Sequence, residues 1–340
     1  MQPVDDIVKA AVKAFGNYTP GWPPGNQIDG TWYTVPFFNR SGGWWVRKSW
    51  FDAKQIDTNK TYDLQQWLDY CVEISDPSKR MWGWGNTVNR SGDGENNVST
   101  PWFESGARLT DETGQKAYFN SDLSIEAFSW LKDVYTNPKY QKALPPGVNA
   151  WNDMGNNNAW YAGTIGFTSN AGTIFATALK EEPAIGKDTY HVPQPAGPVG
   201  KKQVLVGAGG GSSFYLLKGA KNVDASKAMM QYLLSKEVQT KIFGFSQGYV
   251  CPAYTWGWDT APVVNCPNNI DLEYKKDAFN PNAFQWYDPA PNPLLWVNAV
   301  SQEVIFTDTM ASILKGTSVK DAVNQGQQRV EGLIKKYNGK

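Results

Sequence analysis

The residues of this chain best suited to chemistry are its tryptophans, and the chemistry they suit is contact rather than reaction. There are 16 of them. Many stand beside Gly, Asn and Gln rather than among Leu and Val: Gly43-Trp44-Trp45, Trp82-Gly83-Trp84-Gly85-Asn86, Trp151-Asn152-Asp153, Trp256-Gly257-Trp258 and Gln285-Trp286-Tyr287. Backbone of that composition can hold an indole at a surface with amides next to it. The ring face supplies apolar contact while amides and carboxylates take hydroxyls, a combination that fits a polar ligand with apolar faces, sugars being the commonest. Machinery for covalent or metal chemistry is thin. His191 is the only histidine, and Cys71, Cys251 and Cys266 form no Cys-x-x-Cys pair. Neither a zinc site nor a Ser-His-Asp or Cys-His arrangement is expected, and no cofactor. His191 reads as a strand-edge residue in Tyr190-His191-Val192-Pro193, and Cys71 as a buried apolar-face residue. Cys251 and Cys266 flank an irregular Trp/Pro/Asn segment, where a disulfide is compatible with an oxidising compartment. Asp93-Gly94-Glu95-Asn96-Asn97 lacks the alternating oxygens and terminal bidentate Glu of a calcium loop and reads as a solvated loop.

The bulk composition agrees with an uncharged ligand. Lys+Arg and Asp+Glu are 32 each, for a net charge of zero, which argues against a nucleic-acid partner. Charged residues make up 19% and aromatics 14%, a balance that fits a secreted or periplasmic protein handling uncharged polar ligands. The length of 340 residues suits one large domain or two lobes. No apolar run reaches a membrane span, and the opening residues Met1-Gln2-Pro3-Val4-Asp5-Asp6 do not read as a signal peptide.

The elements that must position these residues alternate between helix and strand, which predicts an α/β architecture. Val4, Ile7, Val8, Ala11, Val12 and Phe15 predict a first helix ended by Gly16. Strands are expected at Trp32–Pro36 and Trp44–Arg47, and Asp63 opens a helix with Leu64, Trp67, Leu68 and Cys71 on its buried stripe. A short strand over Trp82–Asn86 is expected to enter a loop running to Thr100. Ala127 to Tyr135 predicts another helix, Asn152–Ala162 a short one, and Thr164–Phe167 a strand. Val204–Val206 leads into Gly207-Ala208-Gly209-Gly210-Gly211 and a strand from Ser213 to Leu217. The helix after Asp224 carries Met229, Tyr232 and Leu233. Phe306 to Leu314 makes one helix, and Ser318 with Asp321 forms a capping box for the last. No repeat of solenoid length occurs.

The order of several landmarks resembles the extracellular solute-binding proteins of ABC importers, in the sugar-binding family that includes maltose-binding protein. Pro3-Val4-Asp5-Asp6 is similar to the family's start of a lobe-one helix. Tyr33-Thr34-Val35-Pro36 with Trp45 to Phe51 is similar to its crossing strand, and Thr61-Tyr62-Asp63 to a helix start, with Leu64 in place of an acid. Further matches are Phe103-Glu104-Ser105-Gly106, Asn158 to Phe167, Pro193 to Pro198, Ala225 to Leu234 and Lys315 to Ala322. The resemblance implies a periplasmic-binding-protein fold, two doubly wound lobes joined by hinge strands, with ligand bound between them and no catalysis. On this reading residues 1–40 are a remainder of lobe one, 41–205 lobe two, 206–258 a return to lobe one through a Gly-rich hinge, and 259–340 the C-terminal helices of lobe two. The βα units that normally precede the first helix have no counterpart here. Lobe one is therefore expected to be incomplete, with an uncovered sheet edge and apolar patch, unless an N-terminal fragment completes it. The implied partners are a sugar or related small polar ligand and ABC permease subunits, and the implied location is periplasmic or extracellular, with lipid anchoring through a missing N-terminus as one form.

Ligands of open α/β sheets lie beyond the carboxyl ends of the strands. That rule and the resemblance together nominate ligand-binding residues. Trp44 is favoured over Trp45, since strand alternation sends one of the pair inward. Asn86 follows a strand; Trp102 and Glu104 precede the family's Gly turn, and a carboxylate takes two hydroxyls at once. Trp151 ends a strand, and Asn170 lies in the turn that faces ligand in the resemblance. Gly209, Gly210 and Gly211 permit close approach to bare backbone amides. Trp286 lies in the irregular segment, and Trp296 where the family places a stacking aromatic. Trp67 and Trp130 are assigned to helix packing. Two alternatives remain open from the residues. A glycoside hydrolase needs two carboxylates ~5–10 Å apart, for which Glu104 and Asp153 are the only nominees. The same fold with a polyol or amine ligand is the other, the amine held in a tryptophan cage.

Overall fold

A computed structural model of the protein describes residues 1–20, 22, 26–200, 211–268, 270–279, 286–291 and 294–338. The stretch Val204–Val206 and the nominated Gly209 and Gly210 lie outside the described residues. The chain forms two compact units. Unit 1 comprises Met1–Gly43, Ala171–Lys187 and Val206–Ala283; unit 2 comprises Trp44–Asn170, Asp188–Leu205 and Phe284–Lys340.

In chain order the elements are α1 (Asp5–Phe15), β1 (Gln27–Ile28), β2 (Thr31–Trp32), β3 (Thr34–Arg40), β4 (Gly42–Arg47), α2 (Lys48–Asp52), α3 (Leu64–Ile74), β5 (Trp82–Trp84), α4 (Gly92–Glu104), α5 (Asp122–Thr136), α6 (Pro138–Gln141), α7 (Gly155–Tyr161) and β6 (Ile165–Ala171). There follow α8 (Thr173–Glu181), α9 (Pro183–Asp188), β7 (Thr189–Val192), β8 (Gly211–Tyr215), α10 (Val223–Leu233), α11 (Lys236–Ser246), β9 (Val250–Pro252), α12 (Ala261–Val264), α13 (Ile270–Ala278), α14 (Leu295–Gln302), α15 (Ile305–Leu314) and α16 (Val319–Asn338). No helix among the described residues is long and apolar enough to cross a membrane.

Unit 1 is built on an antiparallel sheet of order β8-β3-β9. The helical spacing in α1 buries Ile7, Val8 and Ala11 beneath it, together with Val35, Leu216 and Met230. Gly16 ends α1 at φ 77°, a conformation open to glycine. On α10 the buried residue is Met230, whereas Met229 and Tyr232 are 57% and 62% exposed. The apolar residues after Asp224 thus lie mostly on the outer side of their helix, and Phe245 on α11 is also exposed.

Unit 2 holds a sheet of order β5-β6-β4-β7, with β5 and β6 parallel and β4 and β7 antiparallel. Asp63 caps α3 by accepting from Gln66 N at 2.8 Å, and Gln66 Oε1 accepts from Asp63 N at 3.0 Å in return, so Asp63 and Gln66 form a capping box that needs no acid at Leu64. Ser318 likewise accepts from Asp321 N at 3.1 Å ahead of α16.

The loop expected to run to Thr100 ends at Ser91; Gly92 to Thr100 is instead the start of α4. Ser91 caps it by accepting from Gly94 N, Asp93 and Glu95 occupy its first turn, and Val98, Trp102 and Phe103 give it a buried face. Its polar and glycine-rich first turns conceal that periodicity. Gly94 is there for close packing, because a Cβ would fall 1.8 Å from the Asn89 carbonyl oxygen.

The core of unit 2 is aromatic. Phe167 on β6 is fully buried between Trp44 and Trp67, stacked on each at 5.0 and 4.9 Å, with Trp84 at 5.5 Å. Trp130 packs beside Trp84 and donates to Gln65 Oε1. The expectation that strand alternation leaves Trp44 facing out is therefore corrected. Trp44 is 2% exposed and Trp45 0%, because β4 lies inside the sheet and both of its faces are covered. Trp45 packs on His191 of the edge strand β7 at 4.7 Å.

Candidate functional site

The parallel pair β5 and β6 ends in polar residues. Trp84 pairs with Phe167, and immediately beyond that register the sequences become Gly85-Asn86-Thr87 and Thr168-Ser169-Asn170. The Asn86 side chain spans the two strand ends, its Oδ1 accepting from Ser169 N at 2.8 Å, while the Asn86 backbone carbonyl accepts from the Tyr135 hydroxyl at 2.7 Å. Asn86 is 1% exposed, and its Nδ2 has no hydrogen-bond partner among the described residues.

The first turns of two helices close on the same place. Asp93 of α4 donates its N–H to Asp153 Oδ1 at 2.8 Å and accepts at Oδ2 from Asn156 Nδ2 at 2.9 Å. Asn156 Nδ2 also reaches the Ser169 carbonyl at 3.4 Å. Asn170 donates from Nδ2 to Asn157 Oδ1, and its carbonyl accepts from Trp45 Nε1 at 3.0 Å. Thr87 Oγ1 donates to the Trp151 carbonyl at 3.1 Å, which sets the half-buried Trp151 beside the cluster. Burial pushes the Asp93 carboxyl up to about 6; the bond from Asn156 opposes the shift and the charge of Asp153 adds to it. No set of three metal-ligating side chains occurs among the described residues.

Of the nominated residues, Asn86, Asn170 and Trp151 come together here. Asp93, Asp153, Asn156, Asn157 and Ser169 join them without having been singled out as ligand-binding. The signal for most of them was available: Ser169 lies toward the carboxyl end of β6, Asp93 in the first turn of α4, and Asn156 and Asn157 in the first turn of α7. The remaining nominees are elsewhere. Trp102 is fully buried, donating to Ser124 Oγ and packed on Phe119 and Phe306. Trp296 is fully buried and donates to the Gly114 carbonyl at 3.2 Å. Trp286 is half-buried, 4.9 Å from Phe103. Glu104 is fully buried and accepts at Oε1 from Gln194 Nε2 at 3.2 Å. Gly211 pairs with Asn39 in unit 1, where a Cβ would strike the Trp22 ring at 2.1 Å.

The Asp93–Glu95 stretch, read as solvated, is also corrected. Glu95 is 2% exposed and accepts from Phe306 N at 3.3 Å and from Thr307 N and Oγ1 at 3.0 Å each. It caps α15, whose own N-cap residue, Val304, has no side-chain acceptor.

The sequence profile of bacterial extracellular solute-binding proteins matches residues 1–240. The chain belongs to this family. Among solved structures, maltose-bound MalE3 of T. maritima superposes with a TM-score of 0.75 at 16% identity, over 96% of this chain and 79% of that one. A sugar transporter from Arthrobacter chlorophenolicus A6 with bound laminaribiose gives 0.76 at 14% identity, over 98% and 80%. An ABC transporter solute-binding protein from Agrobacterium radiobacter K84 in complex with ribitol gives 0.73 at 17% identity, over 97% and 80%. These likenesses establish the periplasmic-binding-protein fold. A search of curated proteins finds no match.

Membership of the family makes this an extracytoplasmic solute-binding protein, and the hydrolase alternative falls with it. Geometry agrees. Asp153 bonds to the first turn of α4, while Glu104 ends that helix eleven residues beyond Asp93. At ~1.5 Å per residue the helix carries them roughly 16 Å apart, well beyond a glycosidase pair.

Proposed function

We propose that the polar cluster where β5 and β6 end binds a neutral polyhydroxylated ligand, a sugar or sugar alcohol, and that the protein delivers it to the permease subunits of an ABC importer. The observation that carries this reading is the buried Nδ2 of Asn86, a donor without a hydrogen-bond partner among the described residues, on a side chain whose Oδ1 bonds to the end of β6. Leaving such a group unpaired costs roughly 1–3 kcal/mol, which a ligand hydroxyl or a held water recovers. Asn86, Asn156, Asn157 and Asn170 each offer a donor and an acceptor, the match for a hydroxyl that is both, and Asp93 and Asp153 add acceptors. Among the described residues no lysine or arginine belongs to the cluster, so an anionic sugar would meet two carboxylates there and no cation. Trp151 supplies apolar area for a sugar ring. The ligands named for the structural neighbours, maltose, laminaribiose and ribitol, belong to the same chemical class. The adjacency of Asp93 and Asp153 also supports a second reading, in which the ligand carries an ammonium group.

Thermal-shift screening against maltose, laminaribiose, ribitol, a uronic acid and a polyamine tests both. Bound ligand raises Tm by mass action. A neutral sugar or polyol is expected to raise it and the uronic acid to leave it unchanged. The shift should shrink in Asn170→Ala and Asp93→Asn. A full shift in both variants, or a response confined to the uronic acid, removes the cluster as the site.

A further inference from the structure

Two cysteines of unit 1 meet at one glycine. Cys251 on β9 is 4% exposed, and its Sγ lies 3.8 Å from the Gly248 carbonyl oxygen. Cys266, just beyond α12, is half-buried, and its Sγ lies only 2.5 Å from where a Cβ of Gly248 would stand. Gly248 has φ 88°, so the turn can run close beneath both sulfurs. Cys251, Cys266, Gly248 and Trp258 line a single cavity. The third cysteine, Cys71, belongs to the other unit, is fully buried, and has its thiol pushed well up by that burial, which makes it a poor nucleophile.

We infer that Cys251 and Cys266 form a disulfide once the protein reaches its extracytoplasmic compartment, pinning the end of β9 to the segment after α12. The oxidant is a protein or small-molecule disulfide. The better-exposed Cys266 attacks it as a thiolate, forming a mixed disulfide and expelling one oxidant thiol. The Cys251 thiolate then attacks Cys266 Sγ and expels the second. Two protons leave the cysteines, and two electrons pass to the oxidant, which ends as two thiols. The bridge closes a loop from position 251 to 266 that carries Trp256 and Trp258, and it restricts the unfolded chain there.

The test is a thiol count on the whole protein after exposure to oxidised glutathione, in denaturant without reductant. Of three cysteines, one should react, Cys71, and non-reducing peptide mapping should link the peptides holding Cys251 and Cys266. A reductant should then lower Tm by about 5–10 °C. Cys266→Ser should give two reactive thiols, no linked peptide and no reductant-dependent Tm. Three reactive thiols in the oxidised wild type, a link to Cys71, or only an intermolecular link would overturn the inference, and the wild-type count decides even should the variant not fold.

Discussion

Within unit 2, the aromatic stack on Phe167 and the amide cluster that begins at Thr168 share one strand and face opposite demands. Up to Phe167, β6 faces the apolar core: Trp44, Trp67 and Trp84 enclose Phe167, and all four are at most 2% exposed. From Thr168 onward every side chain to Asn170 is polar, and the hydrogen-bond partners there are side-chain amides and backbone carbonyls. The aromatic stretch contributes stability through non-directional burial. The amide stretch contributes position, because hydrogen bonds in a half-buried setting add little net free energy but are costly to leave unmade. A binding protein needs both on one strand: a rigid inner half that holds the outer half still.

The comparison is most severely tested at its rigid end. Phe167→Ala should destabilise the protein by about 3–5 kcal/mol, since the stacked tryptophans cannot collapse into the space left. Urea denaturation measures this. A loss under about 1 kcal/mol would mean that the stack is loosely packed and that the tryptophans have another reason to be there.

Glu95 is the next largest effect, and it lies between the two regimes, a carboxylate buried for structural reasons. Glu95→Ala removes the acceptor of two backbone N–H groups at the start of α15 and should cost about 2–4 kcal/mol. Burial pushes the Glu95 carboxyl up to about 7, against the bonds it accepts from Thr307 and Phe306 and with help from Asp308. The folded value therefore exceeds the ordinary glutamate value of 4.5, and the native state holds the proton more tightly than the unfolded chain. The stability this gives is complete below about 4.5 and is lost as pH rises through about 7. Denaturation midpoints should decline across that window, and Glu95→Gln should flatten the decline. An unchanged slope in Glu95→Gln would assign the pH dependence to another group.

At the polar end the expected effects appear in binding. Asp93→Asn and Asn170→Ala should each weaken the best ligand of the screen about 10–100-fold, the equivalent of roughly 1.4–2.7 kcal/mol, while shifting stability by less than about 1 kcal/mol. Calorimetric titration alongside denaturation separates the two. For Asp93, pushed up to about 6, the ionised form is the better acceptor of hydroxyls, so affinity should fall as pH drops below about 6 and the Asn variant should lose that dependence. Equal losses of stability and affinity in these variants would erase the distinction between the two halves of β6.

How much of this was legible in the sequence depends on how local its cause is. The first helix, the Asp63 capping box, the last helix with its Ser318 cap, and strands β3 to β6 follow from spacing and capping chemistry within a few residues. Helix α4 did not, because Gly92, Gly94 and Asn96 are poor helix formers and the burial of Glu95, Val98 and Trp102 that holds the helix comes from other elements. The tryptophans misled for a related reason. Glycine beside tryptophan was read as backbone that presents a ring at a surface. Gly83, between Trp82 and Trp84, instead lets β5 approach α3, where a Cβ would fall 2.2 Å from the Cys71 carbonyl oxygen. The site was half legible. Asn86 and Asn170 follow strands and were found by that rule; Asn156 and Asn157 reach Ser169 and Asn170 from the neighbouring helix α7, and only the pairing of β5 with β6, some eighty residues apart in sequence, brings Asn86 to the same place.

Trp102 gives the finest test, because the sequence nominated it for ligand and the structure encloses it. Its ring lies against Phe103, Phe119 and Phe306, and its indole N–H donates to Ser124 inside the core. Trp102→Phe keeps an aromatic in place, loses that bond and leaves a small void, so stability should fall by about 1–2 kcal/mol. Affinity should change by less than about twofold, since no atom of the ring belongs to the amide cluster. An affinity loss as large as that of Asn170→Ala, with stability intact, would mean that ligand reaches the aromatic half of unit 2 as well, and the division drawn along β6 would have to move.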